Sequence, residues 1–241
     1  MATFILIHGA FHGGWCWDKV KPVLEQNGNT VVAPDLPSHG ADHTPIADVT
    51  LALYSDRICE ILEQQSGKVI LVGHSLGGLS ITQAAEKRPD DIGLLVYLTA
   101  FLLKNGESRL SVREREPSGS LLPPYMEMFP EDGYVTVKEE GLKSTFYHDC
   151  SDEDVAWAKS KLGKQALKPM GAPLATSDHK FGGVRRVYIE CLQDRTLVPQ
   201  FQKQMYTDLP CEKVISMDTS HSPFMSAPKE LANHLMSLPS L

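Results

Sequence analysis

Ten consecutive residues constrain this chain more than any other stretch: Val69-Ile70-Leu71-Val72-Gly73-His74-Ser75-Leu76-Gly77-Gly78. An apolar, β-branched run of this length predicts a strand buried on both faces. It stops at a glycine-flanked serine and passes into Leu79–Arg88, where Ile81, Ala84 and Ala85 fall at helical spacing and Lys87-Arg88 suit a helix C-terminus. Strand, sharp turn and helix in that order predict a nucleophile elbow, with Gly73 and Gly77 letting two backbones approach while the serine oxygen projects outward. The bare Gly-x-Ser-x-Gly pattern turns up by chance in about one chain in ten of this length. The strand before it and the helix after it therefore carry the inference.

The rest of the chain repeats that rhythm. Strand-like runs recur near residues 3–8, 30–34, 68–73, 92–98, 185–191 and 212–217, with helical patterns between most of them. Trp17–Asn27 places Val20, Val23 and Leu24 on one helical face before Gly28, and Thr50 is a suitable N-cap for Leu51–Leu62. The alternation predicts an α/β fold: a mostly parallel sheet of about six strands with helices on both faces. Residues 103–180 break the rhythm with prolines, charges and only short helical pieces, one of them started by Ser151 and Asp154. The expected organisation is one core domain, residues 1–102 and 181–241, with residues 103–180 inserted as a cap over an active site. The competing reading is a surface insertion, which loops tolerate.

With 241 residues and 42% hydrophobic content, one large core is affordable. The absence of an 18-residue apolar run predicts no membrane span, and a first strand at Thr3-Phe4-Ile5-Leu6-Ile7 without a basic, then apolar leader argues against a signal peptide. Five cysteines, odd in number and without a Cys-x-x-Cys pair, predict a reduced, cytoplasmic protein with no zinc site. A net charge of −7 with no basic run predicts no nucleic-acid partner.

A serine hydroxyl needs a general base, and that imidazole needs a carboxylate to fix its tautomer. On a sheet of this kind the chain order is serine, acid, histidine, each on a loop at the carboxyl end of a strand. Asp194 follows the run Val187–Leu192, and His221 follows Lys213–Met217. Asp218 competes for the acid role, but three residues before the histidine it is better placed to order that loop locally. His39, His43, His148, His179 and His234 read as solvent-facing or capping residues. His8 and His12 are four apart, as in a helical metal pair, yet Gly9, Gly13 and Gly14 make that segment a turn, so no metal is expected. The turn is instead a source of oxyanion donors: the amide of Leu76, after the nucleophile, and one from Ala10 or Phe11.

The segments Leu6-Ile7-His8-Gly9-Ala10, Gly13-Gly14-Trp15, Ala33-Pro34-Asp35-Leu36, Gly73-His74-Ser75-Leu76-Gly77-Gly78 and Asp194 with Val198-Pro199 resemble the α/β-hydrolase superfamily. The similar branch holds plant methylesterases, hydroxynitrile lyases and bacterial pyrethroid-hydrolysing carboxylesterases, and Tyr97-Leu98-Thr99-Ala100 and Tyr188-Ile189-Glu190 most resemble the last. The resemblance implies Ser75, Asp194 and His221 as a catalytic triad and Ala10 and Leu76 as oxyanion donors. It departs from the lyases, which carry a threonine where this chain has Gly9 and a lysine where it has Ser222; without that cation departing cyanide is not stabilised. Ser75 likewise separates it from haloalkane dehalogenases, whose nucleophile is an aspartate.

The expected function is therefore hydrolysis of carboxylic esters without a cofactor. Phe11, Phe101, Leu121, Leu122, Tyr125, Met126, Phe129, Leu197, Phe224 and Met225 are candidates for an apolar pocket, and no Arg or Lys sits inside a motif as a carboxylate clamp. That composition predicts uncharged, hydrophobic esters, short acyl or aryl, pyrethroid-like ones included. The expected partner is the small-molecule ester, with a homodimer left open. Alternatives on the same fold are a ligand receptor that binds without turnover, or a thioesterase or carbon–carbon bond hydrolase.

Overall fold

The computed structural model describes residues 1–238, so the last three residues of the expected 181–241 core segment lie outside the described residues. In chain order the elements are β1 (Thr3–Ile7), α1 (Lys21–Gln26), β2 (Thr30–Val32), α2 (Leu51–Glu63), β3 (Val69–His74), α3 (Gly77–Lys87) and β4 (Ile92–Leu98). An excursion follows, with β5 (Met126–Phe129), β6 (Tyr134–Val137), α4 (Glu139–Phe146), α5 (Asp152–Lys159), β7 (Gln165–Ala166) and α6 (Leu167–Gly171). The chain then returns through β8 (Arg186–Cys191), α7 (Pro199–Asp208), β9 (Lys213–Met217), α8 (Pro223–Ser226) and α9 (Pro228–Met236).

All six expected strands form, in one sheet of order β2-β1-β3-β4-β8-β9 with every neighbouring pair parallel. Burial explains the composition: every residue of β3 is buried, so it reads as a continuous apolar run rather than an alternating one. Val69, Ile70, Leu71 and Val72 are each at most 3% exposed. At about 1.5–3 kcal/mol per side chain their transfer from water amounts to about 6–12 kcal/mol, as large as the net stability of a typical domain. In the helical layers α1 packs with α9 and α2 with α3. Thr50 Oγ1 accepts from the Leu53 amide at 3.1 Å, Ser151 Oγ accepts from Asp154 at 3.1 Å, and Gly28 adopts φ +79°, so these expected caps are present.

Two local expectations change. Helix α1 starts only at Lys21, with Pro22 in its first turn, because Gly14–Trp17 forms a separate tight turn. The excursion is also more regular than its composition suggests, since β5, β6 and β7 form a three-stranded antiparallel sheet. Glu127, Met128 and Phe129 are all exposed, so β5 lacks the in–out alternation by which a strand is recognised.

The crossovers place the site. From β1 the chain steps to β2 at one edge and then back across β1 to β3, so the strand order reverses between β1 and β3, and the loops leaving their carboxyl ends face each other across the crevice. The approach is close: a Cβ on Gly77 would lie 2.6 Å from the His8 carbonyl oxygen.

Candidate active site

Ser75 follows β3 with φ +51°, a left-handed conformation that a residue with a side chain adopts only when its surroundings enforce it. Here they do: its amide donates to the Leu98 carbonyl at 3.3 Å, while its own carbonyl accepts from Gly78 at 3.1 Å and Phe101 at 3.0 Å. The turn aims the side chain into a cavity of about 60 Å³ whose walls include Ala10, Phe11, Leu76 and His221. Helix α3 begins two residues later, so its N-terminal partial positive charge faces any anion formed beside Ser75. The amides of Ala10, Phe11 and Leu76 have no acceptor among the described residues.

His221, 2% exposed, hydrogen-bonds through Nδ1 to Asp194 Oδ2 at 2.6 Å. Thr99 Oγ1 donates to the same oxygen at 2.5 Å, and the amides of Thr196 and Leu197 donate to Oδ1 at 2.7 and 2.9 Å. Four donors fill the acceptor sites of this buried carboxylate. Asp218 is exposed and takes the Gln193 amide at 2.8 Å, the loop-ordering part expected of it. The His221 loop is fastened from behind by His74, whose Nε2 donates to the His221 carbonyl at 2.8 Å. Burial, with His221 nearby, holds the His74 imidazole well below its usual range, so it stays neutral.

His8 and His12 hold the glycine turn rather than a metal. His8 Nδ1 donates to the Gly9 carbonyl at 2.8 Å and Nε2 accepts from the Leu36 amide at 3.1 Å. His12 Nδ1 donates to the Ala10 carbonyl at 2.8 Å and Nε2 accepts from the Tyr147 hydroxyl at 2.6 Å. Each ring thus uses one donor and one acceptor nitrogen, as a neutral imidazole does, and burial lowers His12 to about 4. With both carbonyls pinned away, the amides of the turn are left for the cavity. His39, expected to face solvent or to cap, is 3% exposed and spans the Pro37 carbonyl and the Gln165 side chain, a partner 126 residues away.

Of the expected pocket residues, Phe11, Phe101, Leu122, Met126 and Leu197 line the cavity. Five do not. Leu121 is 42% exposed, its amide fixed to the Arg195 carbonyl at 2.7 Å, so that its neighbour Leu122 turns inward instead. Tyr125 packs on Gly141, where a Cβ would fall 2.2 Å from its ring. Phe129 stacks on Tyr134 along the exposed β5–β6 hairpin, ring centroids 4.7 Å apart. Phe224 lies behind the site, its ring 4.9 Å from His74 and 5.3 Å from Trp17, and Met225 belongs to the same buried core. The excursion contributes lining residues no motif marks, among them Phe146, Met170, Arg109 and Glu116. An Arg and a Glu in a charged stretch read as solvated, and no spacing signals that they turn inward.

The profile of the Alpha/beta hydrolase family matches residues 4–234, and the chain belongs to that family. Among full-length relatives, Salicylic acid-binding protein 2 of Nicotiana tabacum is 33% identical over 98% of this chain and 96% of its own length. Methylesterase 2 of Arabidopsis thaliana is 34% identical over 98% and 95%. Among solved structures, a pyrethroid hydrolase from Sphingobium faniae superposes with a TM-score of 0.85 at 32% identity, covering 98% of this chain and 96% of that one. No helix of the described residues is long and apolar enough to cross a membrane.

Proposed function

We propose that this carboxylic ester hydrolase cleaves uncharged, hydrophobic esters through Ser75, His221 and Asp194. One observation carries the reading: Ser75, on its enforced left-handed turn, and His221, bonded to Asp194, line one mostly apolar cavity. His221 takes the Ser75 proton as the oxygen attacks the ester carbonyl. The Leu76 amide and one amide of the Ala10–Phe11 turn stabilise the tetrahedral oxyanion, aided by the N-terminus of α3. His221 then protonates the departing alcohol, and water, activated by the same imidazole, releases the acid from the acyl-enzyme. Asp194 orients and stabilises the imidazolium throughout.

Residues 103–180 serve as the cap in this reading, since they supply part of the cavity wall. A cavity of about 60 Å³ fits a compact group, so the reading favours short acyl or aryl esters, with bulkier pyrethroid-like ones requiring the cap to shift. Lyase chemistry is disfavoured on space as well as charge: a side chain at Gly9 would begin 2.8 Å from Ser75 Cβ, and Ser222 is fully buried. The cytoplasmic placement rests on the cysteine pattern alone, five in number and without a Cys-x-x-Cys pair. One copy supplies every residue of the site, so the reading needs no second subunit. A binding-only role is the second reading, prompted by the name of the tobacco relative.

The test is release of p-nitrophenol from acetate, butyrate and octanoate esters by wild type and Ser75→Ala, alongside covalent labelling by an organophosphate. Turnover that vanishes in Ser75→Ala supports the reading. Undiminished turnover in that variant overturns the assignment, and Ser75 labelling without ester turnover moves the function to binding.

A further inference from the structure

Thr99 carries the chain past the carboxyl end of β4 with φ +36°. For a β-branched residue a left-handed backbone is a genuine outlier, kept only where the surroundings over-determine it. They do so here. The Thr99 amide donates to the Ile189 carbonyl at 2.8 Å, the Leu98 carbonyl before it accepts the Ser75 amide at 3.3 Å, and the Phe101 amide after it donates to the Ser75 carbonyl at 3.0 Å. Between them, the Tyr188 hydroxyl accepts from the Ala100 amide at 3.0 Å and donates to the Ala100 carbonyl at 2.8 Å. Residues 98–101 are thus bonded both to the Ser75 turn and to β8, the strand that leads to Asp194.

This strained turn sends the Thr99 hydroxyl to Asp194 Oδ2, 2.5 Å away, the same oxygen that His221 Nδ1 meets at 2.6 Å. Other buried threonines bond their hydroxyls within their own helices, Thr82 to the Gly78 carbonyl at 2.8 Å and Thr145 to the Gly141 carbonyl at 2.7 Å. Thr99 itself is 0% exposed, so it acts through Asp194 rather than on a ligand. Without its hydroxyl, Oδ2 would have His221 as its one donor, and the carboxylate would be pinned by protein at Oδ1 alone. Two donors on one oxygen also share its negative charge.

We infer that Thr99 is a positioning residue of the proposed triad: its strained turn ties the Ser75 elbow to Asp194, and its hydroxyl fixes Oδ2 for His221 and shares the charge that Oδ2 presents. The inference rests on the esterase reading, so its test has one arm in turnover and one in the resting protein. The other titratable groups packed on the pair keep one charge state above the range in which His12 titrates. Burial holds His74 of β3 and His12 of the glycine turn neutral, and it pushes the Tyr188 hydroxyl and the Cys191 thiol up. Asp149, on the far side of the His221 loop, is lowered by its bonds from Ser220 although burial opposes them. Arg109 and Glu116, which share the cavity with His221, are paired with each other at 2.9 Å.

The turnover arm compares Thr99→Val, which keeps the branched shape and removes the hydroxyl, with Thr99→Ser, which keeps a hydroxyl, on p-nitrophenyl butyrate below their melting temperatures. Thr99→Val should lower kcat by about tenfold with KM little changed, a part of what one hydrogen bond to a charged group contributes. It should also move the acid limb of kcat/KM upward by about 0.5–1 pH unit, because an unshared Oδ2 stabilises the imidazolium more. Thr99→Ser should recover most of both changes. In the resting protein, NMR with isotope-labelled histidine follows the His221 Nδ1 proton, whose signal should move downfield in Thr99→Val. Thr99→Ala removes the hydroxyl with less bulk and decides the same question if Thr99→Val does not fold. A folded variant without the hydroxyl that melts earlier but keeps the wild-type kcat, acid limb and proton signal would overturn the inference, since the bond would then serve stability alone. A proton signal that moves in a protein without ester turnover would keep the part of Thr99 in the Asp194–His221 pair and overturn the esterase reading instead.

Discussion

Gly9→Ala isolates what the close approach at the site contributes. Gly9 is not among the residues with positive φ, so its backbone is one that alanine adopts freely; the demand at this position is for space. An added Cβ would lie 2.8 Å from Ser75 Cβ, 2.9 Å from His74 Nδ1 and 3.1 Å from the His74 carbonyl oxygen. Carbon atoms rest at about 3.5–4.0 Å, so about 1 Å must be found. Ser75 is held through its amide and twice through its carbonyl, which leaves the turn carrying Ala10 and Phe11 to give way. Displacing one oxyanion donor costs about 10²–10³ in turnover, and overpacking costs about 1–3 kcal/mol of stability. For a chain of this size that is a fall in Tm of about 2–12 °C. Gly9→Ala should therefore stay folded, lose about 10²-fold in kcat on p-nitrophenyl butyrate, change KM much less, and react more slowly with an organophosphate. A folded variant with kcat within threefold of wild type would refute the reasoning.

Asp194→Asn puts a donor where four donors converge, so it should lower kcat by about 10⁴-fold on the same ester and also lower Tm, because at least one buried donor loses its acceptor; a kcat loss under tenfold would argue that Asp194 does not orient His221. Burial foremost holds His8, His12, His39 and His74 below the usual imidazole range, so the unfolded chain binds protons that the folded one refuses. Their contribution is complete above about 6.5 and falls away as pH drops below it, for His12 through about 4, so urea midpoints should decline on acidification; a flat profile would contradict the burial argument. Tyr147→Phe strips the hydroxyl from His12 Nε2 and should cost about 1–3 kcal/mol, read as a lower Tm, whereas an unchanged Tm would mean the bond is not made. Met126→Ala enlarges the cavity and should move the butyrate-to-octanoate preference several-fold toward octanoate, whereas an unchanged ratio would show that Met126 does not limit the acyl chain.

The sheet was legible because its strands are buried on both faces. Runs such as Val69–Val72 are continuous enough to be seen against any background, and the loops after them follow from topology. The positions proposed as the triad, Ser75, Asp194 and His221, could be picked out for the same reason, each lying just past a strand whose end the pattern marks. Thr99 was visible only as part of Tyr97-Leu98-Thr99-Ala100; nothing in its spacing says that its hydroxyl reaches Asp194 across 95 residues of chain. The pocket was half legible. Leu121 and Leu122 are equivalent in composition, and only the bond from the Leu121 amide to Arg195 decides which one turns inward. Buried His39 and the inward Arg109 were missed for a related reason: polar residues are buried when distant partners satisfy them, and those partners are fixed by the fold rather than by neighbouring sequence.

The two halves of the site are built to different tolerances. Ser75 and Asp194 rest on strand ends in the most buried part of the sheet, but the turn beside Ser75 and the loop of His221 are also tied to the excursion. Tyr147 donates to His12, and the Gly163 amide donates to the Phe11 carbonyl at 2.8 Å. The Ser220 amide donates to Asp149 Oδ2 at 2.7 Å and its hydroxyl to the Phe146 carbonyl at 3.0 Å. At about 0.5–1.5 kcal/mol net each, these four bonds amount to about 2–6 kcal/mol, one part of what holds residues 103–180, whose Val135, Leu142, Phe146 and Tyr147 are also buried in the core. A displacement of that segment which breaks them would free the glycine turn and the His221 loop together, the proposed oxyanion donors and the proposed base. On the proposed mechanism, with residues 103–180 as the cap, access for a bulky ester and competence to cleave it are opposed, and esters that fit beneath the segment without moving it meet Ser75 and His221 as they stand here.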